Sequence, residues 1–256
     1  MKNSILIAST FLFFISFASC NARDNSRNSL DWSGTYRGSF LSSSKDCDGL
    51  SLVLEIYEDG RYKQQIACVN NLEEVTHSQG TFTWNKLGNE ITLIDEKEEQ
   101  KTTYRVEEMR LRKLSENGKR ILYASSEQNI LNKITTQQMR GIYWKLVELK
   151  GKKIMQNDSL MRPPHILLHE EGGLSGSGGC NFLNGAYSLD EKEMKISFKS
   201  IGSTLMACPD METEAIFIGA LEEVKNYSLS EDGKTLSMKD DAGLLLIRLE
   251  ADYLRQ

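Results

Sequence analysis

Beyond its first twenty residues the chain has no apolar run long enough to cross a bilayer, which takes about 20 residues. It also has no surplus of basic charge. Its 31 Lys and Arg are outnumbered by 36 Asp and Glu, for a net charge of -5, which argues against a nucleic-acid surface. Histidine is scarce, with three copies in 256 residues, and poorly placed for chemistry. His165 and His169 fall on one face of an expected strand, but four residues separate them by about 13 Å. That is too far for one metal ion, and both are expected at the surface. His77 has no evident partner. No Ser-His-Asp spacing, metal-ligand pair or strained nucleophile elbow is present. The reading is therefore of a protein that is not an enzyme, with no catalytic residue, metal site or cofactor.

What the chain does have begins at its first residue. Lys2 precedes an apolar run from Ile5 to Ala18, broken only by Ser and Thr, the layout of an export signal over 1–19. The sequence Phe17-Ala18-Ser19-Cys20 resembles the bacterial lipobox. That resemblance implies cleavage before Cys20 and lipid on its sulfur; the alternative is ordinary cleavage next to an unmodified cysteine. Each buried methylene contributes about 0.8 kcal/mol, and more than one acyl chain gives stable anchoring. The expected location is the bacterial cell envelope, lipid-anchored on the outer membrane and facing the periplasm. Five cysteines is an odd number. Lipidation of Cys20 leaves Cys47, Cys68, Cys180 and Cys208, which can form two pairs in an oxidising compartment.

The remaining length suggests two small domains. Residues 20–30 are polar and read as a tether. Asp59-Gly60, Asn117-Gly118 and Asp232-Gly233 lie between extended segments and suit tight hairpin turns. Leu50, Leu52, Leu54 and Ile56 share one face at period two. Further strands read at Thr81–Trp84, Ile91–Ile94, Thr103–Val106 and Met109–Leu114, so 31–125 is expected to be antiparallel β, a small barrel. Residues 126–140 read as a linker or a poorly packed helix. In the second domain, 141–251, strands read at Tyr143–Leu149, His165–His169, Lys195–Phe198, Thr235–Met238 and Leu244–Leu249. One helix is expected. Pro209 suits its first turn, Asp210, Glu212 and Glu214 suit the positive end of its dipole, and Phe217, Ala220, Leu221 and Val224 fall on one face. The stretch Gly173 to Tyr187 holds five of the 19 glycines but carries no Gly-Lys-Ser or Gly-Lys-Thr. Its end reads as a turn with no helix beginning there, so it lacks the positive pole a phosphate cradle needs.

The second domain resembles the META/HslJ family. The marks are Trp144, Gly179-Cys180-Asn181, Gly185-Ala186-Tyr187, Thr204-Leu205-Met206-Ala207-Cys208 and Glu214. The resemblance implies an α+β domain, an antiparallel sheet with one helix. It also implies a Cys180–Cys208 disulfide tying the glycine stretch to the helix start, two buried free thiols being the alternative. The first domain is similar to the N-terminal domain of the NlpE family of envelope lipoproteins, through "DWSGTYRGSFLSSSKDCDGLSLVLEIYEDGRYK", "GTFTWNKLGNEITL" and "YRVEEMRLRKLSENGKR". That similarity implies a lipocalin-like barrel and a link to copper tolerance and envelope stress. The family's Cys-x-x-Cys reads here Ser44-Lys45-Asp46-Cys47, so its first thiol is missing and copper binding there is in doubt. With Asp59-Gly60 as the turn centre, position 68 is expected opposite 51. Cys47 pairs with Cys68 only if the chain folds back at Asp48-Gly49. Met206, Cys208 and Met211 are soft donors suited to Cu(I), but a thiolate held in a disulfide cannot serve, and methionine is more often core.

The chain is thus expected to be mainly β: a lipocalin-like antiparallel barrel followed by a META-like domain. Its expected role is binding or stress sensing, with the membrane as one partner through the lipid on Cys20 and an envelope protein as another. A carrier of a lipid or small hydrophobic ligand is the alternative. A deep apolar cavity in the barrel favours the carrier, and a filled barrel with an exposed apolar patch favours the partner.

Overall fold

A computed structural model describes residues 25–42, 44–97, 101–115, 129–135, 137–155 and 160–255. A one-turn helix, α1 (Ser26–Ser29), leads into β1 (Gly34–Phe40), β2 (Leu50–Ile56), β3 (Arg61–Cys68), β4 (Asn71–Trp84), β5 (Glu90–Asp95), β6 (Lys101–Glu107), β7 (Arg110–Lys113) and β8 (Ile130–Lys133). These strands close in sequence order into an antiparallel barrel, β8 returning to β1 through Tyr36 opposite Lys133 and Arg37 opposite Asn132. The period-two pattern on β2 sets the inside: Leu52, Leu54 and Ile56 are buried there with Tyr36, Tyr62, Phe82, Tyr104 and Leu131. Gly60, with φ at +87°, makes the β2–β3 turn, where a side chain would be strained. Helix α1 closes one end. Ser26 Oγ donates to the Val106 carbonyl at 2.8 Å, and Trp32 stands edge-on to Phe82 and Trp84, with ring centres 5.9 and 5.3 Å away.

Two boundaries differ from the sequence reading. β8 lies within 126–140, so part of the expected linker is the strand that seals the barrel. Its four residues are too few to show a period. Burial of Ile130 and Leu131 comes from β7 and β1 on either side. Helix α1 likewise falls within the expected tether. Cys20 and Asn117-Gly118 lie outside the described residues.

The second domain runs β9 (Tyr143–Leu149), β10 (Lys152–Lys153), β11 (His165–Leu168), β12 (Gly173–Ser177), β13 (Phe182–Asp190), β14 (Lys195–Ser203), α2 (Glu212–Glu223), β15 (Asn226–Leu229), β16 (Thr235–Lys239) and β17 (Leu245–Asp252). The sheet is antiparallel, and β17 pairs back onto β9, so it closes on itself around Trp144, Leu146, Ile166, Leu236 and Leu249. Helix α2 buries Phe217, Ala220, Leu221 and the following Val224 completely against this core, the face its spacing predicts. Pro209 stands before the helix, outside its first turn. Asp210, one residue before the N-cap Met211, instead satisfies the first turn, its carboxylate accepting from Thr213 N at 3.1 Å and from the Thr213 hydroxyl at 2.9 Å. The stretch expected to be a turn is a hairpin, β12 and β13. Its five glycines carry no side-chain alternation and so hide both strands.

The two domains pack together. Val53 and Ala67, on the outer face of β2 and β3, are buried in the same apolar cluster as the second-domain core, with Leu72 and Val75 of β4 beside them. Polar contacts frame that seam. Ser51 Oγ donates to the Leu254 carbonyl at 2.6 Å, Arg37 to the Gly141 carbonyl at 2.7 Å, and Lys234 pairs with Glu55 at 2.7 Å. Arg255 also pairs with Glu73.

Candidate functional site

The turn between β12 and β13 is built around Asn181, which is 1% exposed. Its side-chain oxygen accepts from Met206 N at 2.7 Å and from the Thr204 hydroxyl at 2.8 Å. Glu214, in the first turn of α2, accepts from Asn181 N at 2.7 Å and from Asn181 Nδ2 at 2.9 Å. Charge-assisted bonds of this kind, placed at a helix N-terminus, let a carboxylate stay buried without a cation. Gly178 is required here, because a Cβ at that position would stand 2.4 Å from Glu214 Cγ. The glycines therefore let a backbone turn close over a buried carboxylate. Three of the five family marks, Gly179-Cys180-Asn181, the Thr204–Cys208 segment and Glu214, converge on this one node; Trp144 and Gly185-Ala186-Tyr187 lie elsewhere in the sheet.

Both expected disulfides are formed. Cys180 is joined to Cys208 with Cα atoms 6.0 Å apart, and Cys47 to Cys68 with Cα atoms 5.5 Å apart. The register differs by one from the expected one: Leu50, not Ser51, lies opposite Cys68. The chain does fold back at Asp48-Gly49, Val69 N donating to the Gly49 carbonyl at 2.9 Å. With Cys47 oxidised and serine at 44, the loop offers copper no thiolate pair.

The histidines stand apart, as their spacing requires. His165, expected at the surface, is half-buried and stacked on Tyr143 with ring centres 4.1 Å apart. Burial lowers its pKa, and Arg255 and Arg162 add to the shift, while its bond to the Pro163 carbonyl opposes it. His169 is exposed and bonded to the Ser175 hydroxyl at 2.8 Å. His77 lies on the exposed outer face of β4. Among the described residues no cluster of three His, Cys, Asp or Glu is arranged to hold a metal ion.

Surface features also stand out among the described residues. A hollow of about 560 Å³ lies between the domains, lined by Asp31, Lys133, Glu55, Lys234, Asp232 and Tyr253 among others. Burial alone would raise the Glu55 pKa there, but hydrogen bonds from Lys234 and Tyr57 outweigh it and the carboxylate stays low. A second hollow of about 530 Å³ runs along β2, β3 and β4 past Lys63, Gln65 and His77. The third is an apolar patch beside Cys208, where Met161, Phe182, Leu205, Met206 and Met211 are between 38% and 99% exposed. Sequence reasoning missed Met161: it sits beside Leu160, Arg162 and Pro163 in no periodic pattern, and nothing in the spacing marks it.

A filled eight-stranded barrel docked against a closed antiparallel sheet that holds one helix defines a two-domain, mainly β protein, each domain carrying one disulfide. Residues 42–123 match the family model of the NlpE N-terminal domain and residues 137–253 that of the META domain. The barrel thus carries the NlpE N-terminal match and the second domain the META match, each over less than half of the chain.

Solved structures with partial similarity include a candidate lipoprotein from Shewanella oneidensis, 30% identical over 43% of this chain and 95% of that one, TM-score 0.38. A protein from Burkholderia xenovorans is 23% identical over 46% of this chain and 86% of that one, TM-score 0.38. The Cpx pathway activator NlpE from Escherichia coli is 15% identical over 70% of this chain and 97% of that one, TM-score 0.30. No curated protein matches the chain.

Proposed function

We propose that this protein is a lipid-anchored component of the bacterial cell envelope, held at the outer membrane and facing the periplasm, that binds a partner and takes part in envelope-stress sensing without enzymatic chemistry. The observation that carries this reading is the pair of disulfides, one in each domain. They call for an oxidising compartment, and residues 1–19 read as an export signal with cleavage before Cys20. The NlpE N-terminal domain supports a role in envelope stress or copper handling. Serine at 44 and the oxidised Cys47 favour the first over copper held in that loop.

Surface binding has more support than carriage inside the barrel. Tyr36, Leu54, Tyr104, Leu111 and Leu131, each at most 1% exposed, occupy the barrel interior, where a carried ligand would have to displace them. The exposed methionine-rich patch beside Cys208 offers a contact surface instead. The test is fractionation with lipid labelling. Cys20→Ala is expected to leave the membrane fraction or stay unprocessed, and normal lipid incorporation by that variant would end the anchoring reading. The sensing role is tested separately, by comparing an envelope-stress reporter in strains with and without the protein. An identical response to a thiol oxidant and to copper in both would count against it.

A further inference from the structure

Three sulfurs from separate parts of the chain meet at one corner of the META domain. Cys180 comes from the β12–β13 turn, Cys208 from the loop entering α2, and Met161 from the segment before β11. Met161 Sδ stands 3.2 Å from Cys208 Sγ, which is bonded to Cys180 Sγ. The methionine is held there by its neighbours. Arg162 N donates to the Gly179 carbonyl at 3.2 Å, and the Arg162 guanidinium lies 3.9 Å from the centre of the Phe182 ring. Cys180 is held as firmly, since the next residue, Asn181, is bonded to Glu214 through its backbone and its side chain. Met161 is 62% exposed, so the corner is open to solvent.

We infer that reduction of Cys180–Cys208 unmasks a three-sulfur site for Cu(I), made by Cys180, Cys208 and Met161. Thiolate and thioether sulfurs select this soft ion. A metal–thiolate bond of about 2.3 Å places the three sulfurs of a trigonal site about 4 Å apart. Met161 Sδ already stands 3.2 Å from Cys208 Sγ, and once the S–S bond is broken the two thiolates are free to separate to that spacing. The reductant is a dithiol. It gives two electrons and two protons to the cysteine sulfurs and leaves as its own disulfide. Cu(I) then displaces the two thiol protons to solvent and keeps its oxidation state. The oxidised form has only weak thioether donors there and no thiolate, so copper loading reports the redox state of the domain. This inference does not depend on the lipid anchor or on a stress-sensing role.

The test uses the full mature chain carrying Cys47→Ser and Cys68→Ser, which leaves one disulfide. The protein is reduced anaerobically with a dithiol, freed of it, and titrated with Cu(I) against a chromogenic chelator. Oxidised protein is expected to leave the ion with the chelator, and reduced protein to take one equivalent. Met161→Leu is expected to weaken that binding at least about tenfold and to lower the sulfur count in copper X-ray absorption from three to two. Because Met161 is exposed, its replacement leaves the fold intact, and the same comparison in the wild-type chain serves if the double serine variant does not fold. Unchanged affinity and sulfur count in Met161→Leu, or reduced protein that binds no tighter than oxidised, would overturn the inference.

Discussion

Glu214 shows what a single residue does here. Its carboxylate is 4% exposed and accepts two bonds from Asn181. Glu214→Gln replaces one acceptor oxygen with a donor facing a donor, and is expected to cost about 1–3 kcal/mol in urea denaturation. A variant as stable as wild type would mean the node does not hold the turn. His165 is the residue where acid is felt. Its folded pKa lies below its ordinary value of 6.5, with burial as the largest cause, so the unfolded chain binds the proton more readily than the folded one. Its contribution is whole above the unfolded pKa and is lost as pH falls below it, towards the folded value. The groups facing this ring cluster are Tyr143, Arg255, Arg162, Asp252 and Glu73. His165→Phe keeps a ring on Tyr143 and is expected to flatten the loss of stability between about pH 7 and 5, read as unfolding midpoints across that range.

At the scale of elements, the disulfides staple structures that are short of side chains to pack. Cys47–Cys68 spans 21 residues and fastens the β1–β2 loop to the end of β3. Cys180–Cys208 spans 28 and fastens the glycine hairpin to the approach to α2. On the chain-entropy account a loop of this size is worth about 3 kcal/mol. Cys47→Ser with Cys68→Ser is expected to lower stability by about 2–4 kcal/mol without changing the far-ultraviolet spectrum, since the barrel ladder continues on both sides of the bridge. The elements legible in the sequence were those with a local signature: β2 by its alternation, the Gly60 turn, and α2 by the spacing of Phe217, Ala220 and Leu221. β12, β13 and β8 were not legible. Glycines erase the alternation in the first two, and four residues are too few to show it in the third.

For the whole molecule, the seam between the domains matters most. Val53 sits on the outside of the barrel yet is 4% exposed, because the META domain covers it. Val53→Asp would place an unpaired charge in that seam. It is expected to separate unfolding into two calorimetric transitions and to open the linking segment to protease, while each domain keeps its own strands. One unchanged cooperative transition would show that the domains are coupled by other contacts. The pairing of Lys234 with Glu55 lies beside the inter-domain hollow, so loosening the seam also reshapes that surface.

The sequence by itself determined the composition that disfavours nucleic acid, the two family resemblances, the hairpin at Asp59-Gly60, the buried face of α2 and the set of cysteines able to pair. These are local or compositional signals, readable within a turn or a strand. Only the tertiary structure decided that Ile130 and Leu131 complete the barrel, that Val53 faces another domain rather than water, and that Leu50 rather than Ser51 lies opposite Cys68. It alone brought Met161 to 3.2 Å from Cys208 across 47 residues of chain. Contacts of that kind depend on how sheets close and how domains dock. Those are set by packing between distant segments, which no short window of sequence contains.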